Sequence, residues 1–276
     1  MYGRVYQMDL LLLFKALILG LVEGATEFLP VSSTGHLIVV GDLLNFNDDK
    51  GKVFEIVIQL GAILAVCWEF RAKLLSTTCN ITSNKNAQDL IINLFIAFLP
   101  AACLGLLFHH QIKQYLFSPI TVAIALIVGG FVILLIEKNA PKPITQNVDN
   151  VSRMQALKVG LAQSLALIPG VSRAGATILG GVIFCLNRQT ATEFSFFLAI
   201  PIMFAATAFD LLNSWQLLAF ADLPMFIVGF ITAFISAMFV IKLLLRYIAN
   251  HDFRAFAYYR IAFGVLVLLY FLVKTH

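Results

Sequence analysis

Three stretches without a charged residue, Leu90 to Phe108, Pro119 to Ile136 and Leu223 to Ile241, decide most of what this chain can fold into. At helical rise each is long enough to cross a hydrocarbon layer of about 30 Å. Lipid offers backbone amides and carbonyls no partner, so such stretches satisfy those groups internally, as helices. The alternation expected of a transmembrane barrel is absent from the sequence. Composition agrees along the whole length: of 276 residues 60% are hydrophobic and 12% charged, about half the charge of a soluble domain. The apolar start, Leu10 to Val22, has no small-residue cleavage site and runs into Glu23, so it reads as mature protein rather than a removed signal.

Polar residues interrupt this background twice. VEGATEFLPVSSTGH (22–36) carries Glu23, Glu27, Ser32, Ser33, Thr34 and His36, and LIPGVSRAGATI (167–178) carries Ser172, Arg173 and Thr177. An offset of 140 residues lays FKALILGLVEG (14–24) over MQALKVGLAQS (154–164), so that Gly20 meets Gly160, Glu23 meets Gln163, Ser32 meets Ser172 and Gly35 meets Gly175. An offset of 138 pairs Glu55 with Glu193 in FEIVIQLGAI and TEFSFFLAIP. The chain therefore reads as a duplication with one polar break per half, the pattern of discontinuous helices in pseudo-symmetric membrane proteins. After each break (Leu29-Pro30 and Pro169-Gly170) comes an arm too short to span, Thr34 to Leu44 and Arg173 to Cys185. Both breaks are read as re-entrant hairpins, with a kinked spanning helix as the alternative.

Three spans are expected after each hairpin, over about 53–70, 90–108 and 119–137, and over about 191–212, 223–245 and 257–273. The fold class is thus an all-α polytopic membrane protein, 1–276 forming one integral domain built as an inverted repeat, with halves at about 10–137 and 150–273. Loop charge orients it. Nine cations (Arg71, Lys73, Lys85, Lys138, Lys142, Arg153, Arg188, Arg246 and Arg254) fall on one side, and five (Arg4, Lys50, Lys52, Lys113 and Lys274) on the other. The richer side is expected to be cytoplasmic. The net charge of +4 is split among short loops, which speaks against nucleic-acid binding. The four cysteines are scattered without a C-x-x-C pair, so neither a disulfide framework nor a zinc site is indicated.

Glu23 and Glu27 lie one helical turn apart on one face. Carboxylates at membrane depth are costly, so the pair calls for a cation, a proton or water, and a divalent metal completed by water and substrate phosphate is the sharper reading. Ser32, Ser33 and Thr34 start a short helix, where hydroxyls and free N–H groups suit an anion. His36 stands close enough to exchange a proton with them. Arg173 supplies a permanent cation whose planar fork suits two phosphate oxygens; its alternative is a salt bridge to a glutamate of the first hairpin. Together these are the parts of metal-assisted phosphoryl chemistry.

EGATEFLPVSSTGH and PGVSRAGAT resemble the two signature regions of the bacterial undecaprenyl pyrophosphate phosphatases, the bacitracin-resistance proteins. The resemblance covers essentially the whole chain. It implies a plasma-membrane enzyme, its site open to the outer face, that removes the terminal phosphate of undecaprenyl diphosphate and needs a divalent cation such as Mg²⁺ or Ca²⁺. By motif position it implies Glu23 and Glu27 as the acidic, metal-binding pair and Ser32, Ser33 and His36 as the catalytic loop. Ser172, Arg173 and Thr177 then bind phosphate; Ser32 and Thr34, read from their hydroxyls, are the candidate phosphate ligands of the first motif. Where the family usually has serine after the arginine, this chain has Ala174.

Ser33 is the first choice of nucleophile, with His36 or Glu27 taking its proton; attack by His36, or by water with Ser33 as a positioning donor, stays open. The phenylalanine-rich segments 194–204 and 226–239 could line a groove for the lipid tail. Membrane lipids and a second copy of the chain are the remaining candidate partners. The rival function is an inverted-repeat transporter or polyprenyl-phosphate flippase.

Overall fold

The computed structural model describes residues 10–46, 49–116, 118–214, 216 and 222–274. Arg4 lies outside them, as do the side chains of Lys50, Lys52 and Lys113, four of the five cations assigned above to the poorer side. Among the described residues there are eleven α-helices and no named strand: α1 (Leu10–Thr26), α2 (Ser33–Leu43), α3 (Asp49–Glu69), α4 (Arg71–Cys79), α5 (Lys85–Tyr115), α6 (Pro119–Lys138), α7 (Arg153–Gln163), α8 (Arg173–Ile183), α9 (Arg188–Ser214), α10 (Leu223–Ile248) and α11 (Arg254–Lys274). Five of them (α5, α6, α9, α10 and α11) are long and apolar enough to cross a membrane, and α3 with α4 makes a sixth candidate, bent by 73° at the join. The chain is an all-α polytopic membrane protein.

The bend and the helix α4 beyond it are absent from the sequence reading, which ends the first span at about 70. The bend falls where Glu69, Arg71 and Lys73 follow the mostly apolar helix that runs from Val53. The expected short arms are present as α2 and α8, each of 11 residues and each packed on the arm before it, α2 on α1 and α8 on α7. Local chemistry sets their starts. Ser172 caps α8 by accepting the Gly175 N–H at 2.9 Å, while Ser32 at the start of α2 makes no side-chain cap bond. Gly170 turns the second break at φ +91°, and a Cβ there would meet the Val122 backbone of α6 at 2.7 Å, so only glycine fits both the turn and the approach.

Helices in lipid gain little from hydrophobic transfer and associate through close contact, which small residues permit. The seam between α1 and α10 shows this: a Cβ at Gly20 would lie 2.5 Å from the Gly229 carbonyl oxygen, and one at Gly24 would collide with Ser236 and Ala233. α10 also packs on α3, α3 on α9, α9 on α8, α7 on α5 and α6 on α11. Phe28, Phe194, Phe196 and Phe197 are fully or nearly fully buried in the largest apolar cluster. These rings of the 194–204 segment therefore fill the core and do not line a lipid groove.

One end of the bundle is tied by Glu137, whose side chain is fully buried. Its Oε1 accepts Arg188 Nε at 3.1 Å and the Phe253 N–H at 2.9 Å, and its Oε2 pairs with Arg188 Nη2. This joins the end of α6 to the starts of α9 and α11. Removing one partner of such a pair strands the other, so Glu137→Ala is expected to cost about 3 kcal/mol. Thermal unfolding of the detergent-solubilised protein reads this as a lower midpoint, with a smaller drop for Glu137→Gln.

Candidate active site

The two breaks meet. Ser172 Oγ, on the second, donates to the Leu29 carbonyl of the first at 3.2 Å. Next to this junction Glu27, one backbone bond past α1, sits between the two motifs: its Oε2 accepts the Ser33 hydroxyl at 2.5 Å and its Oε1 accepts Arg173 Nη2 at 3.2 Å. Glu27 is 7% exposed, so the exchange between carboxylate, hydroxyl and guanidinium is shielded from water. Ser32 holds the turn at φ +70°, a region sparsely populated by residues with side chains, and so turns Ser33 back over Glu27.

Arg173 is fixed on the far side. Its Nη1 donates to the Ser195 carbonyl at 3.2 Å, its Nη2 lies 3.8 Å from Met203 Sδ, and its guanidinium stands 5.7 Å from the Phe28 ring centre. Its Nε is buried without a partner. Buried donors are nearly always paired, so this one stands out in the site.

His36 does not bond Ser33. Its Nδ1 faces the Ser32 carbonyl at 2.8 Å and its Nε2 faces the Tyr259 hydroxyl at 2.7 Å. Since a carbonyl can only accept, Nδ1 carries the proton, and in the neutral ring Nε2 takes a hydrogen bond from the phenol. The ring is stacked on Phe263 at 4.1 Å. Glu27, not His36, is thus the group that accepts the hydrogen bond of the Ser33 hydroxyl.

The other residues of the two motifs divide. Thr34 is half-buried in the first turn of α2. Thr177 is fully buried with its hydroxyl bonded to the Arg173 carbonyl at 2.9 Å and to Ser195 Oγ at 2.5 Å, so it braces α8 against α9 behind Arg173. Ala174 is fully buried in the core, where an added hydroxyl would need a partner of its own. Glu23 is 1% exposed and its Oε1 has no partner. Among the described residues no group of three or more His, Cys, Asp or Glu side chains is gathered to hold a metal.

The model of the family described as bacitracin resistance protein BacA matches residues 16–266. The chain belongs to this family. It is 65% identical over 269 residues to an undecaprenyl-diphosphatase of Methylobacillus flagellatus, covering 96% of this chain and all of that protein. It is similar to the undecaprenyl-diphosphatases of Nitrosospira multiformis, 60% identical over 262 residues, and Laribacter hongkongensis, 58% over 261, each covering 95% of this chain and 96% of the relative. The residues that join in the structure, Glu27, Ser33 and Arg173, all lie within the span that matches the BacA model.

Three residues that touch the two motifs escaped the sequence reading: Tyr259 bonds His36, Arg260 the Pro30 and Gly170 carbonyls, and the Ser195 carbonyl accepts from Arg173. Tyr259 and Arg260 sit in the span expected at 257–273, and Ser195 follows the paired Glu193. A charged residue inside a span is itself a signal, so Arg260 was legible in principle. Tyr259 and Ser195 carry no such mark.

Proposed function

We propose that this BacA-family protein hydrolyses undecaprenyl diphosphate to undecaprenyl phosphate and inorganic phosphate, and that Ser33 is its nucleophile. The observation that carries the reading is the joining of Ser33, Glu27 and Arg173 across the two hairpin breaks. The names of its relatives supply the substrate.

Ser33 Oγ attacks the terminal phosphorus as Glu27 Oε2 takes its proton, and the bond to the bridging oxygen breaks to release undecaprenyl phosphate. Glu27 passes that proton to the departing undecaprenyl phosphate and is free again as a base; water then attacks the phosphoserine, Glu27 takes the water proton and returns it to Ser33 Oγ, and inorganic phosphate leaves with the Ser33 hydroxyl restored. Arg173 turns from Glu27 toward the transferring phosphoryl group and spreads its charge over two of its oxygens. The first N–H groups of α2, lacking a side-chain cap, face the same charge. Thr177 and Ser195 keep Arg173 in place from behind.

Glu23, whose buried Oε1 is unpartnered, would hold a divalent cation, Mg²⁺ or Ca²⁺, the rest of whose shell would come from water and substrate phosphate. When bound it neutralises charge on the diphosphate. Glu27 has both oxygens engaged and would join such an ion only by releasing Ser33 or Arg173. An apolar cavity of about 390 Å³, lined by Phe98, Ala101, Leu167, Ile202 and Phe209, receives the first part of the lipid tail. Leu167 lies just before the second break, and Ile202 is the neighbour of Met203, which touches Arg173. The inner membrane is the site of action, with the pocket open to the periplasm, as the loop charges indicate. Activity against this substrate underlies bacitracin resistance.

Detergent-purified protein, with no membrane left to transport across, is expected to release phosphate from undecaprenyl diphosphate, to stop with EDTA and to recover with Mg²⁺ or Ca²⁺. Purified, folded protein that released no phosphate under these conditions would overturn the reading.

A further inference from the structure

Arg260 is 2% exposed, on the apolar helix α11, and among the described residues no carboxylate lies within ion-pair distance of it. Its bonds all go to backbone carbonyls: Nη1 to Pro30 at 3.2 Å, Nη2 to Gly170 at 3.1 Å and to Ala125 at 3.1 Å, and Nε to Leu126 at 3.4 Å. Pro30 belongs to the break that carries Glu27 and Ser33, and Gly170 to the break that carries Arg173. The remaining two acceptors lie on α6. A guanidinium has five N–H donors, so one at most is left for a ligand.

A buried cation is costly in lipid, and a structural role at a helix crossing could be filled by an apolar side chain. What a guanidinium alone provides is a rigid plane whose two ends reach two different breaks at once. Space is left for it: a Cβ on Gly129 of α6 would lie 2.8 Å from Arg260 Cζ. Contact also extends to α8, where a Cβ on Gly175, two residues past Arg173, would lie 3.4 Å from Nη1. One side chain therefore links α11, α6 and both halves of the site.

We infer that Arg260 is a positioning residue for phosphoryl transfer: by holding the Pro30 and Gly170 carbonyls in one fork it sets the spacing between Ser33–Glu27 and Arg173. This rests on the phosphatase reading above. Because nearly all its donors are spent on carbonyls, Arg260 does not bind the substrate, and its loss is expected in kcat and not in KM. A small misplacement of reacting groups costs about 10²-fold in rate.

Two variants test this. Arg260→Lys keeps the charge and loses the fork; Gly129→Ala keeps every polar group and pushes the fork aside, so it serves if the first fails to fold. Each is purified and assayed for phosphate release. Each is then spin-labelled at Leu43→Cys and Ile183→Cys, two exposed sites near the ends of α2 and α8, with Cys67, Cys79, Cys103 and Cys185 replaced. Arg260→Lys is expected to lose about 10²-fold in kcat and Gly129→Ala about tenfold, KM staying within about twofold, while the label distance distribution widens in both. Wild-type kcat, a loss confined to KM, or a lower kcat with an unchanged distance distribution would each overturn the inference. A parent protein that released no phosphate would refute the phosphatase reading instead, and the distance comparison would still test the clamp.

Discussion

Ser33→Ala lowers kcat for phosphate release by about 10⁴-fold or more, with KM close to that of the parent protein. Loss of a covalent nucleophile removes the whole two-step route and leaves only what positioning and electrostatics supply. Loss of a hydroxyl that merely orients an attacking water costs about 10²- to 10³-fold, the value of one preorganised donor. The size of the effect therefore separates the two mechanisms. The 2.5 Å bond from Ser33 Oγ to Glu27 Oε2 favours the larger loss, because it joins the hydroxyl to a base already in reach. Steady-state kinetics on the purified variant, with its thermal midpoint as a control for folding, give the comparison.

Arg173→Lys is expected to lower kcat/KM by about 10³-fold, within the range that an arginine contributes to phosphoryl transfer. Lysine keeps the charge, but as a point, and cannot hold the Ser195 carbonyl while presenting a planar fork to two phosphoryl oxygens. Both kcat and KM should move, since Arg173 meets the substrate in the ground state and more strongly in the transition state. An alanine there would also leave Glu27 buried without its cation, so the lysine variant is the cleaner experiment.

The fold was legible because uncharged runs of helical length have one outcome in lipid, and because Pro30, Pro169 and Gly170 interrupt the two runs that carry the polar motifs. The contents of the site were legible as residue types. Their pairing was less so. Glu23 and Glu27 share a helical face in the sequence, yet Glu27 lies past the end of α1, where the turn through Ser32 hands it to Ser33 and Arg173. No local pattern foretells a positive φ at a serine. The partner of His36 is 223 residues away, a contact that only the packing of α2 on α11 creates. Thr177 follows Arg173 by one helical turn and looked like a second phosphate ligand, but its hydroxyl is spent on the Arg173 carbonyl and Ser195. Arg260 needed no contact map to be noticed; what the sequence lacked was the pair of carbonyls it serves.

The most direct measurement is to mix purified protein with undecaprenyl diphosphate carrying label in its terminal phosphate, quench parallel samples within one turnover in acid, which preserves phosphoserine, and in alkali, which preserves phosphohistidine, and find where the label sits. Phosphoserine at Ser33, stable to acid and absent from Ser33→Ala, is the expected result. Label on His36, or a full turnover in which no label passes through the protein, would contradict it.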